Sequence, residues 1–301
     1  MGTMRPRPVI AGRTYMFTRR CSERRFFLRP DPLVTNAFWY CLGWAAEKHG
    51  ILLHAAVALS NHVHVVATDP RGIYPHFLRD FHGLLARVVN AARGRWEHFW
   101  DANQASAVLL QDESAQLDKV VYTLTNPVGL VEKAADWPGA TSLHALLGGT
   151  TVFAKRPEDF FRTEDAGGGM PATVELSFSP PPSFSEGPIR DYRSLVKEHV
   201  DTVETEAAAA RRLARTTVLG RRRILAQRWF DKPSDAEPRR QLSPNVACRD
   251  KWLRIERLQV SKHFQEIYRA ARHAFRAGLE AIFPYGTWLM RIRAPIQVSS
   301  A

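Results

Sequence analysis

The chain has 301 residues, 45% of them apolar, which is enough for one large domain or two ordinary ones with real cores. No run of about 18 apolar residues occurs and Met1–Pro8 carries no apolar stretch, so a membrane-spanning or secretory reading finds no support and a cytoplasmic location is the expectation. The net charge is +12, with 16 basic and 12 acidic side chains in residues 1–150 and 26 and 18 in residues 151–301, so the second half is the more basic and polyanions, nucleic acid above all, are the expected partners. In chain order, Tyr15–Thr18 reads as a short strand. Asp31-Pro32 opens a helix through Phe38, Trp39, Leu42 and Ala46 that stops at Gly50. Leu52–Leu59 and His62–Thr68 read as central strands joined by a turn at Ser60-Asn61. A helix from Tyr74 to Ala92 ends at Gly94, Ala105–Leu110 is a fourth strand, and another helix follows from Asp112 towards Pro127. This βαββαβ order predicts an α+β fold, a ferredoxin-like antiparallel sheet with helices on one face.

The composition changes beyond residue 150. Gly167-Gly168-Gly169 and Pro180-Pro181-Pro182 in a Ser-rich stretch predict a linker over 151–188, between a domain at 1–150 and a basic, mostly helical region at 189–301. There, Ile189–Arg215 and Arg249–Phe283 carry helical patterns, and Thr287–Ile292 is expected as a short strand. Cys21, Cys41 and Cys248 are far apart without a C-x-x-C pair, which supports neither a zinc ribbon nor a disulfide framework and predicts reduced structural thiols.

Chemistry concentrates in two segments. In Asn61-His62-Val63-His64-Val65-Val66, two imidazoles two residues apart in a β-branched run project from one strand face, an arrangement able to chelate a metal. In the second, Leu117, Val120, Val121 and Leu124 form the apolar stripe of an amphipathic helix. Tyr122 and Asn126 lie off that stripe, i and i+4 on one face, a candidate nucleophile beside a candidate ligand. The bland readings are histidines satisfied by hydrogen bonds, a packed tyrosine and an asparagine that ends a helix before Pro127. His54 on the preceding strand is expected to be structural, with a supporting role behind the metal ligands as its rival.

Asn61-His62-Val63-His64, then Tyr122-Thr-Leu-Thr-Asn126-Pro127-Val128-Gly129, then Asp136-Trp137-Pro138, resemble the single-tyrosine HUH transposases, REP-associated tyrosine transposases and insertion-sequence relatives among them. Thr14–Arg20 resembles the first strand of that family, and Phe99-Trp100 a hydrophobic point before its later strand. The resemblance covers roughly the first half of the chain and implies the same ferredoxin-like architecture. It implies that His62, His64 and Asn126 hold Mg²⁺ or Mn²⁺ and that Tyr122 attacks a DNA phosphate, leaving a 5′-phosphotyrosine and a free 3′-hydroxyl. Implied partners are single-stranded or hairpin DNA, with the protein as monomer or homodimer. Asp101-Ala102-Asn103-Gln104 departs from a basic-aromatic segment frequent in the family.

Arg19, Arg20, Arg24 and Arg25 beside Phe26 and Phe27 suit phosphate contacts with stacking on unpaired bases, or equally a solvated turn over buried aromatics. Arg221-Arg222-Arg223, with Arg228, and Arg239-Arg240 suit a DNA backbone, or solvated helix faces. Rival functions are a domesticated, non-catalytic nucleic-acid-binding protein of the same fold and a replication or conjugation nickase of the wider HUH group, whose motifs are usually spaced further apart.

Overall fold

The structure, a computed structural model, describes residues 6–103, 105–158, 169–234 and 245–300. Its first seven elements follow the expected order: β1 (Arg13–Arg20), α1 (Pro32–His49), β2 (Leu52–Ala58), β3 (His62–Asp69), α2 (Tyr74–Ala92), β4 (Ser106–Leu110) and α3 (Glu113–Thr125). The first helix forms where local signals agree. Asp31 caps it by accepting from Val34 N at 2.8 Å, Pro32 occupies its first turn, and Gly50 ends it at φ 63°, a left-handed angle that costs a glycine little.

The sheet runs β2-β3-β1-β4, antiparallel throughout, which is the ferredoxin-like order and makes the fold α+β. Side chains alternate across it. Tyr15 of β1 packs against Tyr74 of α2, Phe17 packs against Tyr74 and Phe77 with tilted rings, and Phe38 of α1 packs edge-on against Phe81 of α2, so α1 and α2 cover one face. Thr14, Thr18, His64 and Thr68 point the other way, and there α3 lies, with Tyr122 against His64. The expectation of helices on one face therefore holds for α1 and α2, the two helices of the βαββαβ order, while α3, which follows that order, lies on the other face. The period of two in the strands gives each face its own set of side chains, and the histidine face is the one α3 covers.

The rest of the described chain is α4 (Leu143–Gly148), β5 (Val152–Lys155), β6 (Thr173–Leu176), α5 (Ile189–Ala214), α6 (Arg221–Ala226), β7 (Val246–Ala247), α7 (Lys251–Arg276), β8 (Ile282–Phe283), α8 (Leu289–Arg293) and β9 (Gln297–Val298). Within the Gly- and Pro-bearing stretch, β5 pairs antiparallel with β6, and Ala154, Val174 and Leu176 join the main core. Gly167 and Gly168, part of the expected linker signal, lie outside the described residues. Val196 and Val200 of α5 belong to that same core, and β7 adds a fifth strand to the sheet, parallel to β4.

Two expectations for the C-terminal half are corrected. The helical pattern expected to reach Phe283 ends at Arg276, because Gly278 follows at φ 74° and Phe283 is drawn into a separate small cluster with Phe264, Tyr268 and Ala271. Thr287–Ile292 is not a strand: Thr287 closes a turn onto Pro284 O at 2.8 Å, and Leu289, Met290 and Arg291, good helix formers, begin α8.

Candidate active site

In the register of the sheet, Thr18 of β1 stands opposite His64 of β3, and Arg20 opposite His62. Thr18 Oγ1 lies 2.8 Å from His64 Nδ1. The other ring nitrogen, His64 Nε2, is buried without a hydrogen-bond partner. Buried polar atoms are rarely left so, and an orphaned imidazole nitrogen is suited to receive a ligand. Asn61 orients the second imidazole. Its Nδ2 donates to Arg24 O at 3.1 Å, which turns its Oδ1 to accept from His62 Nδ1 at 2.7 Å and leaves Nε2 of His62 with the lone pair. The two rings stand 4.9 Å apart with planes at 86°.

The helix α3 completes the cluster. Asp112 caps it through Oδ1, which accepts from Ala115 N at 2.7 Å, and Val120, Val121 and Leu124 are buried. Burial of that seam leaves Tyr122 on the opposite flank, 44% exposed, with its ring 5.4 Å from that of His64 and nearly perpendicular to it. Lys119, one turn earlier, places Nζ 5.1 Å from the Tyr122 ring centroid. Asn126 follows the last turn and its side chain lies beside His62. It keeps helical angles, φ −54° and ψ −32°, although Pro127 comes next; the chain continues into a turn in which Leu130 N and Val131 N donate to Pro127 O. Thus His62, His64, Tyr122 and Asn126, 64 residues apart at the extremes, form one contiguous cluster.

Burial keeps both imidazoles neutral at neutral pH. His62 is held down to about 4 by burial, with the Asn126 side chain opposing the shift and the Arg20 charge adding to it. His64 is also held well below the usual imidazole range, by burial first and then by His62 and Lys119. Among the described residues no group of three His, Cys, Asp or Glu side chains is placed to hold a metal. An ion here would rest on two imidazoles and the Asn126 amide oxygen, a nitrogen and oxygen set that fits a small divalent cation, and the partnerless His64 Nε2 fits it too.

His54 is structural: fully buried, its Nδ1 is 2.8 Å from Ser179 O and its Nε2 2.7 Å from Thr68 Oγ1. The basic residues occupy two places. Arg19 lies over the Trp100 ring at 5.4 Å, Arg20 pairs with Asp101 at 3.6 Å, Arg24 accepts from Asn61 through its carbonyl, and Arg25 bonds both Glu23 and Phe230 O. Phe27 is buried with Arg95 stacked on it at 3.7 Å. Arg221, Arg222 and Arg223 are exposed at the start of α6, whose Ile224 packs with Val57, Leu59, Val131 and Trp137. Val57 is the register partner of His64, so α6 shares the histidine face of the sheet. Arg239 and Arg240 lie outside the described residues. Sequence reasoning passed over three neighbours of the cluster: Thr18, Asn61 as an orienting group, and Lys119. Lys119 was within reach of a helical-spacing argument, three residues before Tyr122; Thr18 needed the strand register.

No family model and no curated protein matches this chain. Several solved structures are similar to it. One is a REP-associated tyrosine transposase bound to a REP hairpin, at 20% identity over 56% of this chain and 97% of that one, with a TM-score of 0.42. Another is a candidate transposase from Deinococcus radiodurans, at 18% identity over 39% of this chain and 94% of that one, with a TM-score of 0.29.

Proposed function

We propose that this chain is a metal-dependent single-strand DNA endonuclease and strand transferase, a transposase, with Tyr122 as nucleophile and His62, His64 and Asn126 as ligands for Mg²⁺ or Mn²⁺. The observation that carries the reading is the exposed Tyr122 ring set against His64, whose Nε2 is buried without a partner. A bound divalent ion would supply charge neutralisation at a non-bridging phosphate oxygen. The chain's own residues do the rest. Thr18 and Asn61 fix the two imidazoles, and burial keeps them unprotonated. The exposed flank of α3 presents Tyr122 Oη to an unpaired strand that a duplex would hold away. As the Oη–P bond forms, the P–O3′ bond breaks; the phenol proton passes to water and the departing 3′-oxygen takes one up. The product is a 5′-phosphotyrosine and a free 3′-hydroxyl, and attack by another 3′-hydroxyl reverses the step and joins strands. The net charge of +12 and the exposed arginines of α6 on the histidine face suit a single-stranded or hairpin DNA partner.

The test is a denaturing gel of the full chain with a labelled, hairpin-containing single-stranded DNA library and Mn²⁺. Wild type is expected to give a slow-migrating covalent band that Tyr122→Phe and His64→Ala lack and that fully duplex DNA does not support. Retained binding without any adduct across the library would replace this reading with that of a non-catalytic DNA-binding protein of the same fold.

A further inference from the structure

The C-terminal half meets the proposed nucleophile helix in several places, and at the start of α3 the contact is a dense set of hydrogen bonds. Asn245 O accepts from Leu109 N at 2.9 Å, β7 continues alongside β4, and Ala247 O accepts from Gln111 N at 3.0 Å, so residues 245–247 follow the sheet edge to the start of α3. There one carboxylate faces two ways. Asp112 Oδ1 caps α3, while its Oδ2 accepts from Cys248 Sγ at 2.8 Å and Arg249 N at 2.8 Å, with Asp250 N at 3.4 Å. Burial pushes this carboxyl up, yet the bonds from Cys248, Ala115, Asp250 and Arg249 outweigh it and hold it below the usual range. Nearly two turns along α3, Arg249 grips Asp118 with two bonds of 3.0 Å, and Asp118 is four residues before Tyr122. Asp250 then caps α7 through Leu253 N at 2.8 Å, which anchors the far end of the segment to a 26-residue helix.

We infer that residues 245–250 are a strap that sets where α3 stands over the sheet, and that Asp112, Asp118 and Arg249 are positioning residues for Tyr122. This rests on the catalytic reading above. A cap alone needs one acceptor, and Asp112 Oδ1 fills that role. The second oxygen and the two-pronged Arg249 pair bind α3 to a segment more than 120 residues later in the chain. Their consequence is geometric, because α3 carries the attacking oxygen and the strand opposite carries the ligands, and small displacements of a nucleophile are costly.

Two variants of the full chain separate the cap from the strap. Asp112→Ser keeps an N-cap of equal quality and loses the oxygen that holds Cys248 and Arg249. Arg249→Ala removes the exposed pair, which contributes little to stability. The readouts are backbone hydrogen exchange, affinity for a fixed hairpin DNA, and the single-turnover rate of adduct formation with Mn²⁺. In Asp112→Ser, amides of residues 246–250 and 113–125 are expected to exchange faster while those of α1 and α2 keep their protection, and the adduct rate falls about tenfold at unchanged hairpin affinity. Arg249→Ala is expected to lower the rate about threefold to fivefold. Wild-type protection of residues 113–125 in Asp112→Ser, or faster exchange spread evenly through the chain, would overturn the strap. So would a wild-type adduct rate with a loosened strap. Should wild type form no adduct at all, the catalytic reading falls, and exchange at residues 113–125 alone decides whether the strap fixes the helix.

Discussion

Thr18 shows how much of a site can rest on a residue that touches no substrate. Its hydroxyl, 2.8 Å from His64 Nδ1, fixes the ring so that Nε2 points into the cluster. Valine has nearly the same shape and suits a strand equally well, so Thr18→Val should keep the fold while losing about 1–3 kcal/mol for the unpaired His64 Nδ1. In the proposed reaction it should lower the rate of Mn²⁺-dependent adduct formation by about 10- to 100-fold, the usual effect of losing a group that orients a ligand. A wild-type rate would show that His64 needs no such support. The structural histidine gives a second expectation, independent of function. Burial holds His54 down to about 4 in the folded chain, against an ordinary value of about 6.5. The unfolded chain therefore binds the proton first as pH falls, and stability drops between about pH 6.5 and 4, by on the order of 3 kcal/mol from this group alone. Denaturant unfolding at pH 7 and pH 5 should show a shallower loss for His54→Gln than for wild type, and an equal loss would assign the slope to other groups. Period and spacing place His62 with His64 on one strand face and Tyr122 with Asn126 on one helix face, and the family resemblance implies that the two pairs meet. Neither shows Thr18, since only the register of β1 against β3 says which hydroxyl meets which imidazole.

At the level of elements, legibility followed the strength of local signals. The helix α1 carries an Asp31 cap, both α1 and α2 have a proline in the first turn, and a glycine follows each end, so both start and stop where those residues predict. The ladder of β5 and β6 was hidden, because two four-residue strands flank the glycines and their apolar alternation is too short to rise above loop composition. Hidden for a different reason, β7 is two residues long and its partner lies over 130 residues earlier, so long-range pairing decides its state. The buried ladder explains a glycine inside α1. A Cβ at Gly43 would stand 2.9 Å from Leu176 Cγ and 3.0 Å from Val174 Cγ2, both on β6. Alanine in a helix interior usually gains about 1 kcal/mol over glycine, whereas overpacking a core costs about 1–3 kcal/mol. Gly43→Ala is accordingly expected to lose about 1 kcal/mol in denaturant unfolding, and its effect should be non-additive with Leu176→Ala, which opens the space. A stabilised Gly43→Ala, or strict additivity, would mean that β6 does not press on α1.

For the whole molecule, the question is whether one chain holds a complete site. Tyr122 meets His64 of its own chain, and α3 is tied in place from several sides. Its N-terminus is held through Asp112 and Asp118 by residues 248–250, Gln116 Oε1 accepts from Ser183 N at 3.3 Å, and the turns beyond it are bound by Glu204 and Arg211 of α5 at Ala134 and Glu132. Moving this helix onto a partner's sheet would break these contacts together, and each was made with a segment that the first 150 residues do not contain. The second half thus has a physical task even apart from its charge: it holds the proposed nucleophile helix to its own sheet. An equimolar mixture of Tyr122→Phe and His64→Ala chains should therefore form no more adduct than either alone, because every site lacks either its nucleophile or a ligand. Wild-type adduct formation per chain should also stay constant on dilution with hairpin DNA held in excess. Recovery of activity in the mixture would show that a tyrosine from one chain serves the histidines of another. The contacts at Asp112 and Asp118 would then have to open during the reaction, and Asp112→Ser, with that barrier lowered, should recover faster in the mixture than the parent pair.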